Sequence, residues 1–152
     1  MNNMTNIKLS KFTKHLLDFM FYSGILICLA LPYIFQRIRS FYPTIDHYYI
    51  AMCILFECCG IFSLMIIFEL RKIFRSVLTG NPFVTENVTS LRKMSYYGIV
   101  IALISIIRLF VVVTPATVVV IIVFTIASLF STVLSQVFHQ AILYKDENDL
   151  TI

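Results

Sequence analysis

Charge is scarce in this chain. Only 13% of its 152 residues are Asp, Glu, Lys or Arg, against about a quarter in an ordinary soluble domain, while 59% are hydrophobic. With a mean hydropathy of +0.89, the scarcity excludes a water-soluble globular domain. Glycine is equally thin, at four residues, and none of them builds a phosphate-cradling loop. The four cysteines, Cys28, Cys53, Cys58 and Cys59, all lie inside apolar runs with no C-x-x-C or Cys/His spacing, so neither a disulfide framework nor a zinc site is expected. No nucleophile and base stand in a recognisable pattern. The chain therefore reads as a non-enzyme with no cofactor and no metal. Tryptophan is absent, but 14 Phe and 8 Tyr remain to sit at membrane interfaces.

What fills the chain instead is apolar length. A first run covers residues 12–35, a second 47–70, and residues 94–139 hold two more, broken at Thr114-Pro115. About 20 apolar residues cross a bilayer as a helix. The valine triplets at 111–113 and 118–120 would favour strands in water, but an open strand in lipid leaves its backbone polar groups unpaired at several kcal/mol each. The expected fold is all-α: an integral membrane bundle of four antiparallel transmembrane helices, spanning about 12–35, 47–70, 95–113 and 116–139. The basic start resembles a secretory signal. The run is too long for a signal core, however, and lacks a small-x-small cleavage site, and Ile25-Leu26-Ile27 ahead of Cys28 does not suit lipid attachment.

Lysine and arginine set the expected orientation. Lys8, Lys11 and Lys14 precede the first span, Arg71, Lys72, Arg75, Arg92 and Lys93 lie between the second and third, and Lys145 follows the fourth; Arg37, Arg39 and Arg108 belong to the other side. Nine against three predicts cytoplasmic termini and a cytoplasmic central loop over about 71–94. Tyr33, Phe35, Phe41, Tyr42, Tyr48 and Tyr49 then fall at the outer interface, where rings anchor. The basic residues flank spans and form no patch interleaved with aromatics, so direct nucleic-acid binding is not expected. Membrane lipids are the implied contacts, and a homodimer is one option for a bundle this small.

The central loop carries local structure. Leu70, Ile73, Phe74, Val77 and Leu78 recur at helical spacing, as if helix two ran on along the membrane surface for a turn or two. Gly80 is a C-terminal stop, Asn81-Pro82 a break, and Thr85 a cap for the next helix with Glu86 in its first turn. Gly80-Asn81-Pro82-Phe83, then Glu86-Asn87 and Leu91-Arg92, together with an acidic end Tyr144-Lys145-Asp146-Glu147-Asn148-Asp149-Leu150-Thr151-Ile152, resemble a bacterial family of small four-helix membrane proteins of unknown function. Its pattern is GNPF-x-x-EN-x-x-x-LR with a D-L-T-I/V tail, and the likeness covers nearly the full length. The resemblance implies the bacterial cytoplasmic membrane and a small helix-turn-helix regulator encoded nearby as a soluble partner. It brings no activity, cofactor or catalytic residue.

Three sets of residues are candidates for function. Glu57 lies about 15 Å inside the second span, where an ionised side chain costs roughly 2.5 to 3.5 kcal/mol. Arg108, about 8 Å from the outer end of the third span, is its expected partner. The pair is either a proton or cation site or a structural contact. Asp18 and Glu69 read as local ion pairs with a basic residue one turn away. Thr125, Ser128, Thr132, Ser135 and His139 are spaced 3, 4, 3 and 4 and read as a helix-packing seam rather than a hydrophilic path. Gly80, Asn81, Pro82, Phe83, Glu86, Asn87, Leu91 and Arg92 form the candidate cytoplasmic interaction motif, on which the acidic tail would dock or with which it would share a binding face.

The leading expectation is a regulatory or interaction protein whose cytoplasmic loop and tail bind a soluble partner. A small proton-coupled transporter working through Glu57 and an immunity or envelope-stress protein are the alternatives.

Overall fold

The structure, a computed structural model, describes the backbone of residues 2–39 and 47–149 and the side chains of residues 10–39 and 47–148. Four helices account for nearly all of it: α1 (Asn2–Ile38), α2 (Tyr49–Leu78), α3 (Thr85–Val111) and α4 (Pro115–Asp149). No strand occurs among the described residues. Each helix contains a stretch long and apolar enough to cross a membrane, and the protein is a multi-pass membrane protein. At 1.5 Å per residue the helices measure roughly 40 to 55 Å, against about 30 Å of hydrocarbon. All four overrun the spans expected from hydropathy. Their ends are built from sequence that a hydropathy count discards.

Local signals fix the connections. Gly80 has φ +83°, its N–H donates to the Val77 carbonyl, and the Asn81 N–H donates to the Ser76 carbonyl. This is the Schellman end of α2, which needs a left-handed residue at that position. Thr85 differs from expectation. The residue flanking α3 is Val84, extended at φ −130° with no side-chain cap, and Thr85 is the first helical residue. At the opposite end, residues 112–114 turn the chain from α3 into α4, Pro115 takes the first helical position that suits its fixed φ, and the Thr117 N–H returns to the Thr114 carbonyl.

Packing is serial. α1 lies on α2, α2 on α3 and α3 on α4, and these are the extensive contacts. The array is open, in contrast to a bundle closed around a central core, and α3 is its best-covered member, with ten buried residues. The total accessible surface is 10702 Å², whereas a compact globular chain of this mass exposes about 7,900 Å². The excess is apolar. Phe19, Leu26, Leu29, Phe110, Ile126, Leu129 and Phe130 are among many large side chains left open, as a hydrocarbon solvent permits.

Small residues let α3 approach its neighbours. Ser95, Gly98, Ala102 and Ser105 are all buried on α3 at spacings of 3, 4 and 3. Opposite them, Thr117, Ser128 and Ser135 are buried on α4. A Cβ on Gly98 would run into the Ser128 hydroxyl, so this approach requires glycine. Contacts along each pair show the helices antiparallel. One end of the array gathers the starts of α1 and α3 and the ends of α2 and α4, hereafter the loop end. The other holds the α3–α4 turn.

Candidate functional site

The loop end is a knot of satisfied polar groups. Asn87 is only 2% exposed, and its Nδ2 donates to the Ser76 Oγ and the Pro82 carbonyl, both at 2.6 Å. One amide thus ties the end of α2, the loop and the start of α3. Glu69, 4% exposed, accepts from the Ser90 hydroxyl at 2.7 Å and from Lys72 Nζ at 3.1 Å to both oxygens. Lys93 Nζ lies 3.8 Å away. The Glu69–Lys72 pair is local, but Ser90 and Lys93 come from α3. Asp18 does not pair within its own helix. Its Oδ1 meets Arg71 Nε of α2 at 2.6 Å, and the Arg71 guanidinium also lies over Phe21 at 4.6 Å.

These contacts hold the Arg71–Leu78 segment against α1 and α3 as a continuation of α2, where the sequence pattern suggested a turn or two along the membrane surface. They also divide the GNPF-x-x-EN-x-x-x-LR motif. Gly80, Asn87 and Leu91 are consumed by the fold: a left-handed turn, a buried amide and a buried apolar contact. The Pro82 carbonyl is Asn87's acceptor. Asn81, Glu86 and Arg92 are exposed. Phe83 packs its ring 5.2 Å from Phe138 of α4 yet stays 46% exposed. A groove of about 430 Å³ runs between Glu69, Lys72 and Lys93 and the first turns of α3 at Thr85, Glu86 and Thr89. From the same end, α4 carries Tyr144, Lys145 and Asp146 outward as exposed helix. The acidic segment continues α4 as helix through Asp149. Leu150, Thr151 and Ile152 lie outside the described residues, as do Phe41 and Tyr42.

Nearer the opposite end the polar groups are poorly matched. Glu57 and Arg108 form no ion pair. The Glu57 Oε2 is buried without a hydrogen-bond partner among the described residues. Arg108, 9% exposed, donates from Nη2 to the Thr117 hydroxyl and lies 4.4 Å over the Phe56 ring. Thr117 is fully buried and shares a 2.6 Å hydrogen bond with Thr114. The reason the pair fails is rotational. Phe56 meets the guanidinium, and Glu57, one residue or about 100° further round α2, points elsewhere. Arg37 and Arg39 at this end lie over Tyr33 and Tyr49 at 5.9 and 5.3 Å, and the Tyr49 hydroxyl donates to the Pro32 carbonyl at 3.2 Å, joining α1 to α2.

The α4 polar residues share one face by spacing, but only part of that face is covered. Ser128 and Ser135 are buried, whereas Thr125 is exposed and bonds its own helix at the Ile121 carbonyl. Thr132 reaches α3 from the edge, its hydroxyl 2.6 Å from that of Ser95, while Ser95 Oγ also donates to the Ser128 carbonyl at 2.9 Å. His139 is exposed. The covered line on α4 is instead 117, 124, 128, 131, 135 and 138, which shares Ser128 and Ser135 with the expected seam but is centred about 60° away from it around the helix. Thr117, the α3 small-residue row and the Glu69–Ser90 contact went unnoticed in the sequence. The row was findable as small residues at 3, 4 and 3 spacing, but the other two depend on which helices meet. All four cysteines are free thiols, and the described residues hold no cluster of three metal-ligating side chains.

Comparison with known proteins gives one assignment. A family model described as Protein of unknown function (DUF2975) matches residues 33–152. No curated protein and no solved structure matches the chain. With most of its length matched, the chain belongs to this family.

Proposed function

We propose that this DUF2975 protein is a non-enzymatic docking protein of the bacterial cytoplasmic membrane, with its termini and α2–α3 loop in the cytoplasm and its loop end binding a soluble partner. The Lys and Arg balance supports the orientation. The carrying observation is the division of the motif. Gly80, Asn87 and Leu91 hold the loop rigid, while Phe83, Glu86 and Arg92 are presented on its outside. A half-exposed phenylalanine flanked by charge of both signs, on helices that overrun the bilayer, has the composition of an interface anchor. The exposed helix through Tyr144 and Asp146 extends that face. A small helix-turn-helix regulator is the first partner to test. A second copy of the chain, as a homodimer, is compatible with the same arrangement.

The test is affinity capture from native membranes in mild detergent, comparing wild type with a Phe83→Ala/Glu86→Ala/Arg92→Ala variant. A soluble protein retained only by wild type supports the reading, provided the variant still inserts. Equal recovery from both, or recovery of the chain alone, rejects it.

The orphaned Glu57 oxygen favours a second reading. A carboxyl with one oxygen buried and without a partner among the described residues is the kind of group a transported cation would satisfy. Proton-coupled cation flux into proteoliposomes that is unchanged by Glu57→Gln would dismiss it.

A further inference from the structure

Arg108 faces a cavity. A slot of about 210 Å³ opens between α1, α2 and the end of α3, walled by Phe35, Ile38, Met52 and Phe56, with Arg108 and Thr114 as its polar members. Its walls are otherwise apolar. A guanidinium has five N–H donors, and among the described residues this one uses a single hydrogen bond, to Thr117. No carboxylate pairs with it among the described residues. The ring of Phe56 covers one face of the cation, and buried Thr117, itself hydrogen-bonded to Thr114, holds the Nη2 side, which leaves the rest of the fork aimed at the slot. The start of α4 lies beside it and adds the positive end of a helix dipole.

A fixed cation at the polar end of an apolar slot matches one kind of molecule. We propose that this slot binds a lipid anion, whose carboxylate or phosphate head pairs with Arg108 while the first methylenes of its acyl chain lie against Phe35, Met52 and Phe56. A planar fork suits both heads, since each offers two oxygens for parallel N–H···O bonds. The slot takes only the top of a chain. The remainder runs along the exposed apolar faces of the open array. The site is separate from the loop end and does not depend on a soluble partner.

Purified, delipidated protein in a neutral detergent is incubated with oleate, with dioleoylphosphatidylglycerol or with dioleoylphosphatidylcholine, and retained lipid is counted by native mass spectrometry. Wild type is expected to retain an anionic lipid about ten- to hundredfold better than phosphatidylcholine, the range of one charge-assisted hydrogen-bonded contact. Retention of oleate alone identifies a fatty-acid carboxylate as the source, and retention of phosphatidylglycerol alone a phospholipid phosphate. Arg108→Gln should erase the preference. Met52→Trp keeps the cation but fills the slot, and should lower anion retention about tenfold. Absence of a preference in wild type overturns the proposal, as does its persistence in Arg108→Gln. Should Arg108→Gln not insert, unchanged anion retention by folded Met52→Trp overturns it alone.

Discussion

Glu69 and Glu57 stand on the same helix, twelve residues apart, in opposite circumstances. At the loop end Glu69 is almost fully buried and receives a serine and two lysines. Asn87, at the same end, spends its amide on two acceptors. Toward the other end, among the described residues, Glu57 has a buried oxygen with no partner, and Arg108 has one hydroxyl and a ring. Where burial is matched by hydrogen bonds, a polar group specifies the fold. Where it is not, the group costs stability, and its retention has to be sought in something it binds. The comparison separates polar groups that the fold satisfies from those it leaves short of partners.

The difference is open to direct attack, beginning with the largest expected effect. Asn87→Ala removes both bonds of the clasp and leaves the Pro82 carbonyl and the Ser76 hydroxyl without that donor. The expected loss is about 2 to 3 kcal/mol, read as a lowered unfolding midpoint in detergent micelles. A variant as stable as wild type would show that the loop is held by α3–α4 packing instead. Glu69→Gln comes next. It keeps the shape but exchanges a charge-assisted contact with Ser90 and the two lysines for a neutral one, at about 1 to 2 kcal/mol. Because the lysines are half-exposed, water recovers part of the loss. The same unfolding titration checks it, and no change would place Glu69 with Glu57 among the unmatched groups.

Gly80→Ala tests the loop end without touching a side-chain contact. Nothing lies within 4 Å of a Cβ built there, so the cost is the left-handed φ alone, about 1 to 2 kcal/mol. Partner capture should be unaffected at temperatures below unfolding. Loss of capture with unchanged stability would move Gly80 from the scaffold to the binding face.

How much of this was legible in the sequence follows from what each feature depends on. The four helices depend on apolar length, and the stop at Gly80 depends on one residue's conformational freedom; both are local and readable. Hydropathy marks only the apolar part of each helix because it stops at the first charges; the run of α2 on to Leu78 is readable from helical spacing, but the pairing of Arg71 and Lys72 with Asp18 and Glu69 that accompanies it is not. The Glu57–Arg108 pairing was inferred from depth. Depth gives height along the membrane normal but not rotation about the helix axis, and Phe56 stands where Glu57 was expected. The same missing angle misplaced Thr125. The exposed half of the GNPF motif could not be told from its buried half, because each mixes polar and apolar residues, Asn81 and Phe83 in one and Asn87 and Leu91 in the other, and only the turn geometry assigns them.

Glu57→Gln carries the smallest expected effect and bears hardest on the comparison. If Glu57 were a structural member like Glu69, replacing it would cost a comparable amount. With no hydrogen bond or ion pair to lose among the described residues, the amide keeps the volume and removes the charge from a carboxyl whose Oε2 is buried without a partner. The expected change in the unfolding midpoint is within about 0.5 kcal/mol of zero or on the stabilising side. A stability gain paired with any functional deficit would mark Glu57 as a residue maintained at the expense of the fold. Destabilisation by more than about 1 kcal/mol, on the scale of a lost hydrogen bond, would mean that Glu57 has a partner in the membrane. A second copy of the chain would then be the first place to look, since the exposed faces of this open array are where an additional helix can meet it.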